Sequence, residues 1–279
     1  MSTATRTPAA SLGGLIDQVT AGRAGPAPRT RKVTVALTTA QAARHDGRRG
    51  GYRNEVLSLR VGRAVGSCAV EPGALPAGTA EECAGADVAS LLAHPLLPVR
   101  VAALDAYLMD VQPHTGAAGA EPVTVPSGSS LDRSRARAAA VVDLLDPAPG
   151  AVVLVVGVVN SLLSELRSRG CTALPCDLKG GSTEWGEPVT TDALAGIGHC
   201  DAVLASGMTL GNGTFDPLRR RALDHGRPLV MFAQTGSAVL PRFLGAGVTA
   251  VCAEPYPFFW LDGGPGVVHH YRADDGGTP

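Results

Sequence analysis

Lysine is nearly missing from this chain: Lys32 and Lys179 stand alone, and arginine carries the rest of the positive charge. Basic and acidic residues almost cancel, 24 against 25, for a formal net charge of -1. A nucleic-acid-binding domain is normally clearly basic, so no nucleic-acid partner is expected. Long apolar runs are missing too. The longest, Ala151 to Val159, has about half of the roughly 20 residues that a membrane helix needs, and no membrane partner is expected. The six cysteines form no Cys-x-x-Cys pair and have no histidines at zinc-ligand spacing. A disulfide framework or a structural zinc site therefore has little support. Reduced thiols, and an opening Ser2-Thr3-Ala4-Thr5-Arg6 without an apolar segment, point to the cytoplasm. Aromatic residues are only 4% of the chain and gather late, at Tyr256, Phe258, Phe259 and Trp260.

What is present is globular. With 279 residues, 45% of them hydrophobic and 18% charged, the chain has enough apolar material for one large or two ordinary domains. Residues 1–30 read as loose chain with one short helix, carried by Leu12, Leu15, Ile16 and Val19. Val33 to Leu37 alternates as a strand does, and Val56 to Val61 is a second strand candidate. Between them, Arg44 to Tyr52 reads as a turn. Helical patterns follow at Glu81–His94 and Pro98–Met109, so 31–112 reads as a small α+β domain. Pro113 to Pro126 is rich in Gly, Ala and Pro, which makes 113–129 a linker. Residues 130–262 read as the second domain and 263–279 as a tail. His269 and His270 fall in that tail, where solvent exposure is expected.

The second domain opens with a helix that Ser130 can cap, with Asp132 favourable in its first turn. Val152–Val156 is then a wholly apolar strand of the kind buried on both faces of a parallel sheet. Helix Ser161–Arg169, strand Thr172–Cys176, a helix near Asp192–Ile197, strand Ala202–Ser206 and helix Pro217–His225 follow in alternation. Strand Leu229–Ala233, helix Val239–Leu244 and strand Val248–Cys252 complete it. Alternation with short glycine-bearing turns predicts a doubly wound parallel sheet, and its ligands belong outside the carboxyl ends of the strands.

The residues just after each strand are therefore the candidates. Gly157 and Asn160 follow the first, but Gly157-Val-Val is not Gly-x-Gly-x-x-Gly, so NAD binding in its usual dinucleotide form is disfavoured. Asp177 ends the second strand at the distance where a ribose-binding acid would lie, and equally where a solvated acid would. After the third strand, Gly207, Thr209, Asn212, Gly213 and Thr214 combine conformational freedom with hydroxyl and amide groups. A helix starts directly behind them, capped either by Asp216 or by Thr214. Ser237 lies in a similar polar turn after the fourth strand. Asp177 and Cys252 are the candidate metal ligands, although neither belongs to a local ligand motif. The late aromatic cluster fits a flap over the sheet edge better than the wall of a pocket. No nucleophile–base signature is present, so catalytic residues are unassigned.

The run Asp201-Ala-Val-Leu-Ala-Ser-Gly-Met-Thr-Leu-Gly-Asn-Gly-Thr-Phe-Asp resembles the hallmark of the bacterial and archaeal heavy-metal-chelation family of unknown function. Gly245 to Val251 is similar to that family's end, and Pro98 to Leu108 to the helix of its front domain. The resemblance implies a Rossmann-like domain behind an enolase-N-terminal-like α+β front domain, with a cleft between them for a chelated metal or small ligand. Gly207, Thr209, Asn212, Gly213, Thr214 and Asp216 match the hallmark. Ser206, Asp105, Asn160 and Gln234-Thr-Gly-Ser depart from it, and several of these lie at the implied cleft. The expectation is a small-molecule-binding protein, an enzyme of specialised metabolism acting on a small polar or anionic metabolite. The alternative is a protein that binds a metal or metal chelate without catalysis. A divalent or heavy metal is the candidate cofactor, and a homodimer is the default assembly.

Overall fold

The computed structural model describes residues 8–46, 51–258, 261 and 263–273. Helix α1 (Leu12–Thr20) is capped by Ser11, whose hydroxyl accepts the Gly14 N–H, and buries Leu12, Leu15 and Val19. Strands β1 (Val33–Ala43), β2 (Tyr52–Val61) and β3 (Ala64–Val70) form an antiparallel meander. Helices α2 (Thr79–Cys83), α3 (Val88–Leu92) and α4 (Leu97–Val111) follow. Helix α4 is buried nearly all round, from Val99 to Met109, as befits a helix with neighbours on every side. It lies so close to β3 that a Cβ on Gly66 would fall 1.8 Å from the Ala106 backbone nitrogen. Only glycine fits there.

Strand β4 (Glu121–Val125) and helix α5 (Ser130–Leu145) open the second half. Ser129, not Ser130, caps α5: its hydroxyl accepts the Asp132 N–H. The alternating part then runs β5 (Val152–Val156), α6 (Asn160–Ser168), β6 (Thr172–Cys176), α7 (Ala193–Gly196) and β7 (Ala202–Ser206). It continues through α8 (Met208–Gly211), α9 (Phe215–Asp224), β8 (Leu229–Ala233), β9 (Ala250–Ala253) and β10 (Gly266–Arg272). Thr214 occupies the cap position of α9, which leaves Asp216 in the first turn; its carboxylate instead accepts the Leu12 N–H at the start of α1.

The large sheet has the order β4-β10-β9-β8-β7-β5-β6. Strands β5 to β9 pair in parallel, while β10 runs antiparallel to both β9 and β4. The fold is α/β: a Rossmann-like, doubly wound sheet preceded by a small α+β part. Strand β3 was not expected, the helix expected over 81–94 is broken into α2 and α3, the one expected over 239–244 is a single 3-10 turn at Leu240–Phe243, and the strand expected over 248–252 lies at 250–253. Two further stretches change the domain reading. Residues 121–125, inside the expected linker, form β4, and residues 266–272, inside the expected tail, form β10. His269 and His270 are accordingly buried, because β10 is an interior strand that presents both faces to protein.

One apolar core joins the front part to one face of the large sheet, running from Leu57 and Leu104 through Leu154, Val203 and Met231. The other face is covered by α5 and α6, with Val141, Leu162 and Leu166 against Val153 and Leu204. Asp105 clamps the first of these interfaces. Its buried carboxylate accepts the Ser67 N–H on β3 (2.9 Å) and the Ala238 N–H beyond β8 (2.8 Å). Burial nevertheless pushes the carboxyl up to about 7, against the opposing pull of these N–H groups.

Candidate functional site

Among the parallel strands the order β6-β5-β7-β8-β9 places the first strand of the series between the second and the third. The connections leaving β5 and β7 therefore diverge, and a crevice opens at their carboxyl ends. Gly157 and Ser206 face each other across it. Gly157 has a φ of +88°, and a Cβ there would come 2.7 Å from that of Ser206, so both conformation and space demand glycine. Two hollows meet here. A cleft of about 710 Å³ lies between the large sheet and the front meander, and a slot of about 320 Å³ lies toward α7 and α9. Gly157, Asp177, Ser206 and Met208 line both.

Helix α6 begins at the edge of the cleft. Val159 at its cap position has no side-chain acceptor to offer, and the first-turn residues Asn160 and Ser161 line the cleft. Such an uncapped start presents backbone N–H donors and the positive end of the helix dipole. On α5, Ser134 donates to the Ser161 hydroxyl at 2.9 Å. One turn on, Arg137 bonds Glu254 at 2.6 Å, and the same carboxylate oxygen accepts the Gln234 amide at 3.0 Å. The front part supplies the opposite wall: Gln41 on β1 and Asn54 on β2, register partners in the meander, with Arg53 and His45. The side-chain carbonyl oxygens of Gln41, Asn54 and Asn160 are buried with no hydrogen-bond partner. All three residues line the cleft, and their oxygens lack the partner that a buried acceptor ordinarily finds.

Asp177 stands at the junction of the two hollows. One of its oxygens accepts the Val158 N–H (3.2 Å) and the other the Lys179 N–H (3.0 Å). Lys179 bridges to Glu71 of the front part at 2.8 Å and donates to the Arg53 carbonyl. The stretch after Lys179 then folds over the cleft, where Ser182, Thr183, Glu184, Trp185 and Gly186 line its rim. Arg167 stacks on Trp185, 3.9 Å from the ring centre, and pairs with Glu187, which holds this rim to α6.

The expected site residues divide between the two hollows. Gly157, Asn160, Asp177 and Gly207 line the cleft; Thr209, Asn212, Gly213 and Thr214 line the slot, with Gly157 and Asp177 shared. Much of the 207–214 segment is occupied with itself or its neighbours. The Asn212 side-chain oxygen accepts both the N–H and the hydroxyl of Thr214, and the Thr209 hydroxyl donates to the Ser206 carbonyl. A Cβ on Gly207 would meet the Thr235 carbonyl at 2.4 Å, and one on Gly211 would meet the Cys68 sulfur at 2.6 Å. These two glycines serve close packing, the second of them against the front part.

Ser237 lines neither hollow. It is buried in a separate polar cluster, 3.3 Å from Nε2 of His114, whose Nδ1 lies 2.7 Å from the Tyr271 hydroxyl. His114 stacks on His269, and burial drives its pKa down to about 3. Cys252 is likewise not at the cleft. It sits wholly buried on β9, four strand spacings of ~4.8 Å from β6 and hence roughly 19 Å from the strand that ends at Asp177. One ion cannot bridge that gap. Burial also pushes the Cys252 thiol up to about 12. Among the described residues no group of three or more His, Cys, Asp or Glu is placed to hold a metal.

Phe258 corrects the expectation of an edge flap. It is buried against Val56 and Ala69 and lines the cleft, with Tyr256 edge-on at 5.5 Å. Phe259 and Trp260 lie outside the described residues. Sequence reasoning also missed Ser134, Arg137, Gln41, Asn54 and the 182–186 rim. The strand alternation of β1 and β2, extended to Gln41 and Asn54, was the one signal that could have found the front wall.

Searches of the sequence against family profiles and against curated proteins found no match. Solved structures do match. A DUF364-family protein of unknown function from Desulfitobacterium hafniense superposes with a TM-score of 0.63 at 14% identity, covering 92% of this chain and 96% of that one. The fold is that of DUF364 proteins. A second member of unknown function, from Pyrococcus horikoshii, gives a TM-score of 0.51 at 14% identity, with 78% and 87% covered. At such identity the likeness concerns architecture, and it brings no chemistry with it. No helix of the described residues is long and apolar enough to cross a membrane.

Proposed function

We propose that this protein binds a small, polar, anionic metabolite in the 710 Å³ cleft and acts on it there as an enzyme. The observation that carries the proposal is the pairing of the uncapped start of α6 with buried acceptors that lack partners, at the point where the strand connections diverge. The helix start takes the anionic group of the ligand. Gln41, Asn54 and Asn160 accept from its hydroxyl or amino groups. His45, Asp177 and Glu184 line the same cleft and are groups able to exchange a proton with a bound molecule.

The test is a thermal-stability screen of the full chain against carboxylates, sugar phosphates, amino acids and nucleotides, repeated with Asn160→Leu and Gln41→Leu. A ligand at a hundred times its Kd adds about 2.7 kcal/mol. For a chain of this size that raises Tm by about 5–10 °C. The shift is expected to shrink in both variants, and NMR of the incubated compound is expected to show its conversion. A screen with no stabilising compound, or one whose best compound ignores both substitutions, overturns the binding site. A bound compound that stays unchanged overturns the catalytic half.

A further inference from the structure

The geometry points to a nucleoside with an anionic tail as the ligand, its base in the 320 Å³ slot, its ribose at Asp177 and its tail in the cleft. This rests on the cleft reading above and extends it to the second hollow. The slot is walled by Val156, Leu178, Leu194, Met208, Pro217 and Leu218, apolar surfaces suited to the faces of a flat ring. The charged groups that line it are Glu71, which Lys179 neutralises, and the carboxylates Asp177 and Asp192. Asp177 and Asp192 repel phosphate and carboxylate and favour donors, so the anionic part of a two-part ligand belongs at the helix start and the neutral, donor-bearing part in the slot. An amino-bearing base such as adenine meets that demand.

Asp177 is what joins the halves. It lies twenty positions beyond Gly157 (177 − 157), at the carboxyl end of the strand next to β5, and lines both hollows. Its two oxygens are fixed by one backbone N–H each, and each keeps a lone pair for a further donor. A carboxylate so held accepts two adjacent hydroxyls, as a ribose diol presents them. The single glycine at the turn, followed by Val158 and Val159, is not the Gly-x-Gly-x-x-Gly pattern that brings a pyrophosphate close to the backbone. The tail is therefore a lone phosphate or carboxylate and not a dinucleotide bridge.

Isothermal titration of the full chain with adenosine 5′-monophosphate and with S-adenosylmethionine tests this, against 2′,3′-dideoxyadenosine 5′-monophosphate and inorganic phosphate. At least one of the first two is expected to bind, with affinity falling tenfold or more for the dideoxy form and for Asp177→Asn. Leu194→Trp fills the slot from the exposed helix α7 and is expected to abolish nucleoside binding while leaving the fold intact by circular dichroism. Failure of both ribonucleosides to bind at millimolar concentration overturns the inference, as does equal binding of the dideoxy form. If a non-nucleoside anion binds the cleft and ignores Leu194→Trp, the nucleoside assignment falls and the cleft assignment stands.

Discussion

Replacing Asp105 by Asn asks whether the carboxyl that clamps the two halves together is charged. In the folded protein burial holds its pKa near 7, against an ordinary value of 3.8. The folded state thus retains the proton over a range in which the unfolded chain has already released it. For a carboxyl shifted upward, stability is fully present below about pH 3.8 and is lost as pH rises through 7. Each tenfold preference between protonation states is worth about 1.4 kcal/mol, so three decades amount to roughly 4 kcal/mol. Asparagine is the neutral isostere of the protonated acid, with one oxygen that can still accept from Ser67 or Ala238. At every pH the variant leaves one of these two buried N–H groups without an acceptor, at a cost of about 1–3 kcal/mol, and it is expected to gain on the parent by up to about 4 kcal/mol between pH 4 and pH 8. Urea denaturation of both proteins across that range measures the difference directly, and contributions from all other groups cancel. A variant less stable than the parent by a constant amount, or most impaired at pH 8, would refute the reasoning. It would mean that the N–H groups of Ser67 and Ala238 outweigh burial and that the carboxylate is native.

Two further perturbations probe packing and the buried ion pair. Gly66→Ala places a methyl group 1.8 Å from the backbone of α4, which cannot swing aside as a side chain can; a loss of about 3 kcal/mol, at the upper end for overpacking, or failure to accumulate folded protein is expected, and a thermal melt indistinguishable from the parent's would contradict it. Arg137→Met strips Glu254 of its guanidinium in a buried setting and is expected to cost about 3–5 kcal/mol by urea titration, with part of that recovered in the double variant Arg137→Met/Glu254→Gln; equal losses in the single and double variants would show that the charge is not what matters.

The parallel strands were legible because each is a short apolar run that meets protein on both faces. The ranges 152–156, 172–176, 202–206 and 229–233 match the structure residue for residue. Strands β4 and β10 were not legible. Glycine and proline surround both, and the two histidines of β10 look like solvent-facing residues until their stacking and burial are seen. At the site, Gly157, Asn160, Asp177 and Gly207 could be found because strand ends in such sheets face a crevice. Ser237 misled for a related reason: a polar turn after a strand looks the same in sequence whether it faces ligand or, as here, His114. The glycines at 207 and 211 advertise close approach, but sequence does not say to what. The walls from β1, β2 and α5 depend on docking between distant segments, which no local pattern encodes.

Strand β4 touches the large sheet only through β10, since among the described residues its sole strand partner is 266–270. During synthesis, then, residues 121–125 leave the ribosome some 140 positions before the segment that gives them a place (266 − 125 = 141). The strand that joins this edge to the rest of the sheet, β10, is thus the last of the ten to be made. Any truncation upstream of Gly266 would leave β9 with a bare margin and β4 with nothing to join.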